Sequence, residues 1–368
     1  MLKNHRLALA ALVALAVPAL PVGAHAAETV VHVYNWSDYI ADDTLARFEK
    51  ETGIKVVYDV YDKNEVLETK LLTGRSGYDV VFPSLKPFAE RLIRSGVFQP
   101  LDKSKLKNLG NLDSAVLATM AEADPGNRHL LPYMWGTTGL GYNVAKVRAA
   151  LGANAPVDSW RLVFDPENAR KLAGCGISFL DDDEALAAVL IHLGKSPHST
   201  DALDLAAAET AFRKIRPYVK HFHSSQYIDQ LANGDICVAH GYSGDVIQAR
   251  NRAREAKNNV EIAYAIPREG AVLWIDVMAV PKDAPHPNAA HAFIDFLLKP
   301  DVIAAISNKI AYANGNRAAT PLVAAAVRND PSIYPPPAVK ERLLTLKVLP
   351  EAARRARVRA WTRIKTGQ

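Results

Sequence analysis

The sequence predicts a two-lobed α/β protein with a cleft between its lobes. Three observations lead there. β-Branched runs alternate with helical stretches along the whole chain, the pattern of a mainly parallel sheet with helices on both faces. The 368 residues suit about two domains. Hydrophobic residues make up 49% of the chain and charged residues 23%, which provides for sizeable cores and argues against disorder.

Residues 1–26 have the pattern of a secretory signal. Lys3, His5 and Arg6 form a basic start. Leu7 to Leu20 is an Ala-, Leu- and Val-rich run broken by Pro18, and Ala24-His25-Ala26 is a small-x-small cleavage pattern. The apolar run is shorter than the roughly 20 residues a spanning helix needs, so export with removal is expected rather than anchoring. No cysteine lies near the cut to carry a lipid. The formal charge of +5 falls to +3 once Lys3 and Arg6 are gone, too mild an excess to argue for nucleic acid. Cys175 and Cys237 are the only cysteines; in an oxidising compartment one disulfide is expected, with two buried thiols as the alternative.

The elements follow in order. Thr29 to Tyr34 is β-branched and reads as a buried strand, followed by a loop through Tyr39. Asp42 or Asp43 caps a helix to about Glu51 with Leu45 and Phe48 on one face, and Gly53 stops it. Ile54 to Val60 is a second strand, Asn64 to Leu72 a helix, Tyr78 to Pro83 a third strand. Glu90 to Ser95 is helical and Gly96 ends it. Leu130 to Trp135 and Thr138 to Tyr142 are extended. Helices are expected over Pro166 to Leu172, Ala185 to Leu193 and Ala206 to Ile215. A strand from Asp235 to His240, a helix from Val246 to Lys257, and strands over Val260 to Ala265 and Leu273 to Pro281 come next. His291 to Leu298 and Pro300 to Ile306 are helical. Pro335-Pro336-Pro337 precedes a basic amphipathic stretch with Arg354, Arg355, Arg357, Arg359, Arg363 and Lys365, read as a solvated helix face.

Enzyme signatures are weak. There is no GxxxxGK[ST] loop, Gly139-Leu140-Gly141 lacks a third glycine, and Gly241-Tyr242-Ser243-Gly244 lacks the spacing of a nucleophile elbow. His221 and His223 would share a strand face but have no partner motif for a metal. Asp181-Asp182-Asp183-Glu184 lacks the spacing and glycine of a calcium loop, and a helix N-terminus accounts for such acids. No catalytic residue, metal or cofactor is expected.

Seven stretches then carry a resemblance: Tyr34-Asn-Trp-Ser-Asp-Tyr-Ile40, Phe48 to Val57, Gly77-Tyr-Asp-Val-Val-Phe-Pro-Ser84, Pro132 to Gly139, Phe222 to Tyr227, Leu231 to Ala239 and Ala318 to Leu322. Together they resemble the periplasmic polyamine-binding proteins of ATP-driven importers over nearly the whole mature chain, the putrescine-preferring members most. The resemblance implies a two-lobed periplasmic-binding-protein fold of type II, its cleft between lobes joined by crossover hinge strands. It implies lobes of 27–136 with 258–310 and 137–257 with 311–368. It implies a periplasmic, non-enzymatic monomer that hands putrescine or spermidine to an inner-membrane permease.

On the matching motifs the resemblance places the ligand against Trp36, Ser37, Asp38, Tyr39, Ser84, Glu184, Tyr242, Asp245, Trp274, Asp276 and Tyr312, with Asp182 as an added acid. The chemistry agrees. A protonated amine entering a closed cleft loses water and needs carboxylate acceptors, while its methylene chain wants aromatic faces. Ordinary alternatives exist: Asp38 or Asp245 as a helix cap, Glu184 as a dipole-complementing acid, Ser84 as a turn residue, the rings as core. An unpaired acid inside an apolar strand is costly, which favours a working role for Asp276. Tyr242 stands where the putrescine binders usually carry Trp, and Trp274 where they carry Phe. With Asp182 these changes suit a longer cation, whereas Lys86 in the Pro83–Pro87 loop would repel an ammonium unless turned away. Putrescine and spermidine both remain open on these residues, as does another cationic solute such as spermine or an amino acid derivative, and so does a role as a signalling partner that reports ligand.

Overall fold

The computed structural model describes residues 29–367; the expected signal segment, 1–26, lies outside the described residues. Eleven strands form one sheet: β1 (Val30–Trp36), β2 (Lys55–Tyr61), β3 (Val80–Val81), β4 (Leu130–Asn143), β5 (Ile177–Phe179), β6 (Val219–Phe222), β7 (Val238–Tyr242), β8 (Ile262–Ala265), β9 (Ala271–Ala279), β10 (Ala313–Asn314) and β11 (Leu343–Leu344). The main order is β2-β1-β3-β9-β4-β7-β5-β6, with β8 and β10 paired to β4 and β11 to β9. β1 is parallel to β2 and β3, and β5 is parallel to β6 and β7, as strand–helix alternation requires. The two parallel halves are joined through antiparallel pairings of β4 and β9.

β4 crosses from one half to the other. Its first part pairs with β9 from Leu130↔Ala279 to Thr138↔Val272, and its end with β7 and β8. Leu130 to Trp135 and Thr138 to Tyr142 are therefore one continuous strand, irregular between Pro132 and Trp135. The glycines at its middle are places of close approach. A Cβ at Gly136 would lie 2.7 Å from the Trp274 ring, and one at Gly141 2.5 Å from Val246.

Two main cores result. One gathers Val33, Phe48, Phe82, Tyr133 and Phe293, and it takes in Tyr312, Ala319 and Val323. The other gathers Trp160, Phe179, Leu186 and Phe212, and it takes in Trp361 and Ile364 of the C-terminal helix Glu351–Thr366. Ile262 and Val260 pack with Leu231 and Val246 beside the second core. Packing thus groups 260–264 with the second half and 312–327 with the first, where the division expected from sequence has them the other way round. Periodicity along the chain does not reveal which core a segment joins. Cys175 and Cys237 form the disulfide, with Cα atoms 5.3 Å apart. Among the described residues no helix is long and apolar enough to cross a membrane.

The helix after β1 runs Thr44–Thr52 with Phe48 buried, and Gly53 takes a left-handed conformation (φ 72°) to end it. Helices Val144–Leu151 and Tyr227–Asn233 were not legible; both are short, and periodicity over so few residues is ambiguous.

Candidate functional site

Strand ends and helix starts from both halves converge on one cavity. Trp36 ends β1, and its Nε1 donates to the Phe82 carbonyl (2.7 Å). Ser37 N donates to the Tyr61 carbonyl (3.0 Å), which seats the loop that carries Tyr39. Trp274 and Asp276 are two apart on β9, so the strand's period of two presents both to the same side. Ser84, just after β3, forms an isolated bridge with Asp276. From the other half, Tyr242 ends β7, Asp245 lies in the first turn of the helix Ser243–Ala256, and Glu184 lies in the first turn of the helix Asp183–His192. A helix N-terminus favours an anion, which offsets part of the cost of burying each acid there. Tyr312 follows the helix Pro300–Ile310.

Asp276, Asp245 and Glu184 are hydrogen-bonded but form no salt bridge among the described residues. Asp276 is 4% exposed. It accepts from Ser84 Oγ (2.7 Å) and Tyr39 Oη (2.9 Å). Burial pushes its carboxyl up to about 7, although both donors pull the other way. Asp245 accepts from Tyr227 Oη (2.8 Å) and Tyr312 Oη (2.7 Å). Burial pushes it up to about 6, opposed by the two tyrosines and assisted by nearby Asp38. Glu184 accepts from the Thr138 hydroxyl, and burial, then Asp182, hold it well above the usual carboxylate range. Tyr242 and Trp274 meet edge-on with centroids 5.7 Å apart; Trp274 and Tyr312 do so at 5.2 Å, and Tyr39 and Tyr312 at 5.3 Å. The walls are therefore rings and carboxylates. The described lining residues include Asp62, Glu184, Asp245 and Asp276 and no lysine, arginine or histidine. Such a cavity can desolvate an aliphatic chain and neutralise positive charge at more than one point along it.

Ten of the twelve residues expected from sequence line this cavity: Trp36, Ser37, Tyr39, Ser84, Glu184, Tyr242, Asp245, Trp274, Asp276 and Tyr312. Asp38 and Asp182 are not among the lining residues. Asp38 is exposed, adopts φ 54°, and pairs with Arg252 (2.7 Å), which also holds Asp229 (2.6 Å). Its carboxylate thus ties the two halves together at the rim. Asp182 caps its helix by accepting from Glu184 N (3.0 Å) and accepts from Tyr242 Oη (2.7 Å), facing an adjoining groove. The rest of the acidic run is also committed. Asp181 takes Lys63 and Lys365, and Asp183 takes Arg357 (3.0 Å). Lys86 is turned onto Glu122 (2.7 Å) and does not line the cavity. His221 Nε2 meets Ser178 Oγ (3.1 Å), and His223 Nδ1 accepts from the N–H groups of Ser225 and Gln226.

Sequence reasoning missed Tyr61, Asp62, Ser224, Ser225 and Ile228 of the lining, and Tyr227 behind Asp245. Asp62 directly follows β2. The rule that ligands sit beyond the carboxyl ends of strands would have pointed to it. The serines carry no charge pattern to betray them.

Comparison with known proteins supplies the context. The model of the bacterial extracellular solute-binding proteins matches residues 43–335. The chain is 57% identical to the putrescine-binding periplasmic protein PotF of Escherichia coli (strain K12), over 98% of each chain. It is 58% identical to the putrescine-binding periplasmic protein SpuD of Pseudomonas aeruginosa (strain UCBPP-PA14), over 92% of each. A solved structure, a putative spermidine/putrescine ABC transporter from Listeria monocytogenes, superposes with a TM-score of 0.82 at 30% identity, covering 92% of this chain and all of that one.

Proposed function

The chain belongs to the bacterial extracellular solute-binding proteins, and within that family we propose that it captures a polyamine, putrescine or spermidine, in the periplasm and delivers it to an ABC importer without altering it. One observation carries the reading: four acids line a single cavity with no described basic side chain among them. Carboxylates that face one cavity without a base repel one another, and two or more ammonium groups on an apolar chain complement such a lining. Rings of Trp36, Tyr242, Trp274 and Tyr312 cover the methylenes and offer cation–π contacts worth about 0.5–2 kcal/mol each. Relatives whose names specify putrescine or spermidine support the ligand class.

Delivery follows from the same geometry. Asp276 and Tyr39 belong to one half, and Glu184 and Asp245 to the other, so only the closed form gives the ligand all its contacts and ligand shifts the chain towards closure. The closed form is the one a permease docks. Native mass spectrometry of freshly purified protein tests the ligand. A retained mass of putrescine or spermidine is expected, and retention of an anionic or neutral solute in its place overturns the assignment.

A further inference from the structure

Behind the cavity wall, hydrogen-bond directions can be followed atom by atom. Tyr227 Oη accepts from the backbone N–H of Tyr242 (3.0 Å), so its own hydrogen is directed to Asp245 Oδ2 (2.8 Å). Tyr312 Oη accepts from the backbone N–H of Asp245 (3.1 Å), so its hydrogen is directed to Asp245 Oδ1 (2.7 Å). Peptide N–H groups can only donate, and each tyrosine therefore has one direction left. Both oxygens of Asp245 are made acceptors, which is the ionised form. Asp276 differs. Ser84 accepts from Asn64 Nδ2 (3.0 Å) and donates to Oδ1 (2.7 Å), but no described group donates to Tyr39 Oη, so its donation to Oδ2 is not enforced and would reverse on protonation of that oxygen.

Tyr227 is fully buried and begins the helix Tyr227–Asn233. Its ring lies against Gly241, where a Cβ would come within 2.5 Å of it. It does not line the cavity, although Ser224, Ser225 and Ile228 on either side of it do. We propose that Tyr227 is a positioning residue of the ligand site, which from outside the cavity holds Asp245 as a fixed, charged acceptor for one end of the ligand. This rests on the cation-binding reading of the cavity. The other groups acting on Asp245 are Asp38 and Arg252 on its rim side, Tyr312 beside it, and Asp276, with which it interacts.

The test compares the full mature chain with Tyr227→Phe. Calorimetric titration with putrescine from pH 5 to 8.5 should show binding roughly tenfold weaker in the variant at pH 7.5, the scale of losing a hydrogen bond to a charged group. The gap between the two affinities should widen on the acid side, because Asp245 has lost a donor in the variant while the fall set by Asp276 and Glu184 is common to both chains. In an Asp245→Asn background the effect of Tyr227→Phe should shrink to within about twofold, since residues acting as a unit are not additive. A loss that is uniform across pH and persists in that background overturns the proposal. A ligand-independent readout is the NMR titration of the Asp245 carboxyl carbon. Its midpoint should rise in Tyr227→Phe and fall when 3-fluorotyrosine, a stronger donor, replaces Tyr227; an unmoved midpoint overturns the proposal. If the unaltered chain takes up no diamine, the cation reading falls, and the NMR titration still decides the role of Tyr227.

Discussion

Replacing Asp276 by Asn should weaken binding and strengthen the empty fold at the same time. Asn keeps the shape: its Oδ1 can still accept from Ser84 while its Nδ2 donates to Tyr39 Oη, so the main loss is the charge. Removing one partner of a buried charge pair costs about 3–5 kcal/mol, which is roughly a hundredfold to a few thousandfold in Kd. Stability moves the other way. The folded carboxyl is raised from 3.8 to about 7. A group whose folded pKa is raised contributes stability that is complete below its unfolded pKa and lost as pH rises through the folded value. The empty wild-type chain should therefore lose stability between about pH 4 and 8, by an upper limit on the order of 4 kcal/mol, since opening the cleft re-solvates the group. Asp276→Asn removes that loss. Calorimetry with putrescine on refolded, ligand-free protein measures the first effect; thermal unfolding at pH 5 and pH 8 measures the second. Unchanged affinity, or a variant less stable than wild type at pH 8, would refute the reasoning.

Other outcomes follow from the same geometry. The Asp38–Arg252 pair joins side chains that are 42% and 34% exposed, so Asp38→Asn should cost no more than about 1 kcal/mol, or fivefold in Kd, and less still at high salt by calorimetry at two ionic strengths. A Cβ at Gly244 would sit 2.5 Å from the Tyr312 ring, so Gly244→Ala should destabilise the chain by about 1–3 kcal/mol in denaturant unfolding and weaken binding at least tenfold. Cys175→Ser with Cys237→Ser opens a loop with a sequence separation of 62 and should lower stability by about 4 kcal/mol in the chain-entropy model, leaving the titrated Kd within twofold.

The residues most legible in the sequence were those whose local setting made them expensive. Asp276 stands out because a lone acid inside an apolar strand needs a reason, and Trp274 two positions before it shares its side. The Cys175–Cys237 pairing followed from there being two cysteines in a chain whose start reads as a secretory signal. The direction of Asp38 was not legible, because its motif position says nothing of it. A positive φ turns it outward to Arg252, a residue 214 positions away in sequence. The capping bond of Asp182 was not legible, because a helix cap and a ligand acid look alike before the helix start is known. Tyr227 was invisible because its role depends on bonds to Tyr242 and Asp245 that exist only in the folded chain. Which core 312–327 packs into was not legible either, since no local pattern shows that Tyr312, Ala319 and Val323 share a core with Phe293.

The most direct measurement is isothermal titration of the unfolded-and-refolded, ligand-free chain with putrescine and with spermidine at neutral pH. Saturable one-to-one heat with at least one of them, at micromolar Kd or tighter, is the expected result. A flat titration with both, from protein whose circular dichroism shows it refolded, would mean that the acids around this cavity do not await a polyamine.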